Sequence, residues 1–175
     1  LHSPQPFRSL GRDGSFAAQA GDSDSLKGRS DGLYRAAEAA DRGADGSDLF
    51  SQNRVSLTTR KAVLADVQAT LSQVDADPDM NADAKAQARS SAATITHELI
   101  RSLGNEGDAG ALKRDAFASY QKLVASETVG GLKESMIFNA VQQKAFLPVD
   151  LHPAIDAMKA EIAPQTPPYA AWFKD

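Results

Sequence analysis

The chain has 175 residues, 42% of them hydrophobic, which suits one domain with a real core. It carries 19 basic and 23 acidic side chains, a formal charge of -4, and so lacks the basic footprint of a general nucleic-acid binder. It contains no cysteine, which excludes disulfide scaffolds, thiolate nucleophiles, thiolate-held zinc and iron–sulfur clusters from this chain.

No stretch reaches the roughly 18 apolar residues of a membrane span, and a soluble chain is expected. The opening residues lack the basic-then-apolar pattern of a signal peptide. The first residue is Leu1 rather than Met, which reads as a processed product or a piece of a longer protein. Alanine, the best helix former, accounts for 31 of the 175 residues, while aromatics make up 6%. Together these predict an all-α domain. The excess of Ala, Gly, Asp and Arg over Ile, Asn and Lys points to a GC-rich, bacterial source.

Residues 1–30 hold six Ser, four Gly and two Pro, with no helical or strand period, and read as a flexible tail or linker. Residues 31–175 are expected to form the helical domain. The first helix is expected from an Ser30 or Asp31 cap through Leu33, Tyr34, Ala37 and Ala40, with Gly43 closing it. The second places Leu57, Leu64, Val67, Leu71 and Val74 on one stripe, capped by Ser56 or Thr58 and stopped by Pro78. The third starts at Asp79 or Asn81, lines up Ala88, Ala92, Ile95, Leu99 and Leu103, and meets Gly104 as its C-cap.

A fourth helix is expected over about 108–126, with Leu112, Ala116, Tyr120, Leu123 and Val124 inward. Gly130 and Gly131 then read as a break. The fifth helix is expected over about 132–146 with Met136, Ile137, Ala140 and Val141 buried, ended by Pro148. The sixth opens near His152 and Pro153 and carries Ile155, Met158 and Ile162. Tyr169 to Phe173 reads as a short helical turn that packs back as a lid or contacts whatever follows in the full protein. The expected fold is an irregular bundle of about six helices with that aromatic segment at its end.

Motifs for chemistry are few. Asp75, Asp77 and Asp79 alternate as in a calcium loop, but Met80 and Ala86 stand where an EF-hand needs its turning Gly and bidentate Glu. A solvated helix connection is the expected reading. His97-Glu98-Leu99-Ile100-Arg101 resembles a zincin helix with Arg in place of the second His. One imidazole cannot form that site, and a surface-facing His–Glu pair is expected instead. His152 reads as a helix cap. No metal, no cofactor and no catalytic residue are expected.

Apolar residues that fall off the main stripes remain. Phe138, Phe146, Leu147, Trp172 and Phe173 gather around the proline breaks of the C-terminal half. They are the expected protein-binding residues.

The cysteine-free, alanine-rich layout behind a Ser/Gly/Pro-rich linker resembles the C-terminal helical domains of type III secreted effectors. The resemblance lies in composition and layout over most of the chain, with no motif to carry a residue across. It implies a module of a larger secreted effector that acts in a host cell by binding host proteins. One group of such domains is a cysteine- and zinc-independent ubiquitin ligase that binds a conjugating enzyme, which is the alternative expectation.

Overall fold

The computed structural model describes residues 26–41 and 55–162. Among these residues lie six α-helices: α1 (Leu26–Asp41), α2 (Leu57–Ala76), α3 (Ala82–Ser102), α4 (Gly107–Ser126), α5 (Gly130–Gln143) and α6 (His152–Ile162). Two 3-10 turns, Lys144–Phe146 and Val149–Leu151, join α5 to α6. The all-α bundle expected from composition is what forms.

The centre of the bundle is α3, which packs against α1, α2, α4 and α5. Its first half presents Ala88, Ala92 and Ala93, all buried, and these small side chains let α1 approach with Leu33, Ala36 and Ala37. Its second half widens to Ile95, Leu99 and Ile100. Because neighbours surround it, α3 is buried on more than the single face its main stripe predicts.

Caps account for the starts of α2 and α3. The Ser56 hydroxyl accepts from the Thr59 backbone N–H at 3.1 Å, and the Asn81 side chain accepts from that of Ala84 at 2.8 Å. Within the acidic run, the Asp77 carboxylate accepts the Asp79 N–H at 2.7 Å, a local turn of the kind Asp favours.

Four boundaries differ from the sequence expectation. Helix α1 begins at Leu26, inside the segment read as tail, so Ser30 and Asp31 are helical residues rather than caps. Leu26 packs on the core and Arg29 donates to the Gln73 side chain of α2, so tertiary contacts hold this first turn. Gly130 and Gly131 are the first turn of α5, not a break before it. Helix α5 ends at Gln143, ahead of Pro148, because the chain tightens into 3-10 geometry. Finally, α3 ends on an extended Leu103, and it is Gly107, not Gly104, that takes a positive φ of 60°.

Helices α2 and α4 both run antiparallel to α3. Arg60, near the start of α2, donates to the Ser102 carbonyl at the end of α3 (3.1 Å). Asp75, near the end of α2, meets Arg89 in the first half of α3 (3.5 Å), and Arg89 also reaches Glu127 just past α4. The two helices are therefore parallel to each other, with their ends at matching levels.

Candidate functional site

The turn from α5 into α6 forms a corner that displays apolar side chains. Phe146 is 37% exposed and Val149 is 77% exposed, while Leu147 between them is buried in the core. The backbone here is held from below. The buried Lys113 ammonium of α4 donates to the Phe146 carbonyl and to the Asn105 side chain (2.8 Å). Burial pushes the Lys113 amine below its ordinary pKa. The His152 ring donates to the Leu147 carbonyl at 3.1 Å, so this residue ties the turn rather than serving only as a helix cap.

Charges rim the same corner. Arg114 grips Asp150 through two bonds of 2.8 and 2.9 Å, and Lys144 meets Asp156 at 2.8 Å. Hydrogen bonds from Arg114 and Lys144 hold the Asp150 and Asp156 carboxyls below their usual range. The Arg101 guanidinium lies over the Phe146 ring, 5.3 Å from its centroid. An apolar centre within a charged rim is the common anatomy of a protein interface.

The structure places the sequence-derived candidates unequally. Phe146 is at the surface of the corner. Leu147 is core, buried in the main hydrophobic cluster. Phe138 is half-buried and packs against the core from α5. Trp172 and Phe173 lie outside the described residues. Val149 was not singled out, although an apolar residue directly after Pro148 and off every helical stripe was the available signal.

Two grooves lie elsewhere on the described surface. One, of about 850 Å³, lies between α2 and α4 over a floor of Leu64, Leu71, Leu112 and Leu123. The other, of about 710 Å³, lies among α1, α3 and the start of α5, with the half-exposed Tyr34 and Val129 on its walls.

The expected surface-facing His97–Glu98 pair is instead buried, because α3 is enclosed by its neighbours. His97 shares a 2.8 Å hydrogen bond with the fully buried Gln143 of α5, and Glu98 meets Arg101 at 3.4 Å. Burial, aided by the Arg101 charge, pushes the imidazole down to about 4, so it is neutral at pH 7. Among the described residues no group of three or more His, Asp and Glu side chains could hold a metal ion. No described helix is long and apolar enough to cross a membrane.

Comparisons with protein-family models, with curated proteins and with solved structures find no match.

Proposed function

We propose that this chain is a helical protein–protein interaction module of a larger secreted effector, and that it docks a host protein on the α5–α6 corner. The observation that carries the reading is the pair Phe146 and Val149, exposed on a turn whose Phe146 and Leu147 carbonyls are held by Lys113 and His152. An apolar anchor held in place loses little freedom on binding, and such anchors dominate interface energies. The effector setting rests on the compositional resemblance alone.

The test compares affinity isolation from host extract by the wild-type chain and by Val149→Arg. Val149 is so exposed that the change spares the fold. A partner held by the wild type and lost by the variant, then reconstituted with purified protein, supports the reading. Captured proteins indifferent to both Val149→Arg and Phe146→Ser would sink it. Ubiquitin chains formed with an activating enzyme and a panel of conjugating enzymes, and lost in Val149→Arg, would identify the partner as a conjugating enzyme.

A further inference from the structure

The groove between α2 and α4 has an ordered charge pattern on its walls. Along α2 the exposed side chains run Lys61, Gln68, Asp75, at seven-residue intervals. Along α4 they run Asp108, Asp115, Lys122, at the same interval. Seven residues is the repeat at which a straight helix presents nearly one edge, so each triplet lines its wall. Small residues such as Ala65 and Ala118 stand between the charges, and the leucine floor lies below. Lys61, Asp108, Asp115 and Lys122 make no ion pair with other described residues. Asp75 meets Arg89, whose charge is already taken up by Glu127.

Since α2 and α4 are parallel and level, the positive Lys61 and negative Asp108 share one end of the groove. The negative Asp75 and positive Lys122 share the other. Like charges therefore sit at diagonal corners. A surface of this kind complements a copy of itself rotated by a two-fold axis, which is the condition for an isologous interface.

We infer that the α2–α4 face binds a second copy of this chain, forming a symmetric dimer with four parallel helices at the interface. The two-fold axis runs along the groove, so α2 of each copy faces α4 of the other. Lys61 then meets Asp108 of the second copy, Gln68 meets Asp115, and Asp75 meets Lys122. The alternative two-fold, across the helices, sets Asp115 against Asp115 of the second copy, and like charges facing each other select against it. The leucine floor is already buried, so the apolar contribution comes from the exposed wall alanines Ala65, Ala111 and Ala118, whose small size lets the helices approach. This face is separate from the α5–α6 corner, so either surface can fail its test without the other.

Sedimentation velocity on the full chain, over a wide concentration range, is expected to show a monomer–dimer equilibrium. Lys61→Glu sets like charges together twice in the dimer and is expected to raise its Kd by roughly tenfold. Adding Asp108→Lys to the same chain is expected to restore the wild-type Kd. Val149→Arg leaves the equilibrium unchanged. A chain that stays monomeric throughout, or a dimer indifferent to Lys61→Glu, overturns the inference. So does a Lys61→Glu dimer that Asp108→Lys fails to restore, or one restored by Asp75→Lys instead, which is the signature of the antiparallel pairing.

Discussion

The Glu127 carboxylate accepts the Nε–H and an Nη2–H of Arg89, at 3.2 Å each, with its own side chain entirely buried. One of its oxygens also accepts the backbone N–H groups of Thr128 and Val129, at 3.0 and 3.1 Å. A single residue thus ties α3 to the end of α4 and satisfies the backbone leading into α5. Glu127→Ala leaves a largely buried guanidinium with only its 3.5 Å contact to Asp75 and strands two backbone donors. We expect a loss of about 3–5 kcal/mol in urea unfolding. The double variant Glu127→Leu with Arg89→Met removes the stranded charge and is expected to recover part of that loss. If it is no better than Glu127→Ala, the ion pair is not the source of the effect.

His97 predicts how stability depends on pH. Its folded pKa, about 4, lies below the unfolded value of 6.5. The unfolded chain therefore binds the extra proton first as pH falls. Stability is fully present above 6.5, declines from there to about 4, and is lost no further from this group below that. The whole effect is on the order of 3 kcal/mol. Urea midpoints measured across this range should fall more steeply for the wild type than for His97→Gln. Parallel slopes would remove His97 from the explanation.

Two glycines are expected to respond in opposite directions to the same substitution. A Cβ on Gly110 would fall 2.1 Å from the Asn105 backbone oxygen, so the α3–α4 turn must shift to admit it. Gly110→Ala is expected to cost roughly 1–3 kcal/mol. A Cβ on Gly131 meets nothing within 4 Å, and Gly131 is helical. Gly131→Ala is expected to stabilise by about 0.5–1 kcal/mol through reduced unfolded-state entropy. Thermal melts of the two variants against wild type decide both, and shifts of the same sign would contradict this account.

Lys113 is expected to govern the order of the α5–α6 corner. Lys113→Met keeps the stem but removes the donor to the Phe146 carbonyl and the Asn105 side chain. Its effect on global stability is expected to be about 1–3 kcal/mol. The distinguishing readout is amide exchange, which should accelerate at 144–151 more than in α2. Uniform acceleration across both regions would show a merely global effect.

What the sequence determined by itself was the helical class and the inward stripes. Leu64, Val67, Leu71 and Val74 of α2, and Ile155, Met158 and Ile162 of α6, are all buried as their spacing requires. Periodicity suffices there because each of those helices has one face to hide. Local chemistry also narrowed the caps to Ser56 or Thr58 and to Asn81 or Asp79, since a cap is satisfied within three residues, and the structure selects Ser56 and Asn81. Tertiary structure decided the rest. Helix α3 lies among four others, so His97 and Glu98 were drawn inside although their spacing reads as surface. Glu127, Lys113 and Gln143 are charged or polar residues that sequence assigns to solvent, and they are buried, with Arg89 partly so, because their partners lie 33 to 46 positions away. Leu147 and Val149 sit two residues apart, one buried and one 77% exposed, because the chain passes from an extended Leu147 into a 3-10 turn at Val149 instead of continuing a helix. Pairing across such distances, and the direction of a side chain on a turn, depend on which elements meet, and that information appears only when the chain is packed.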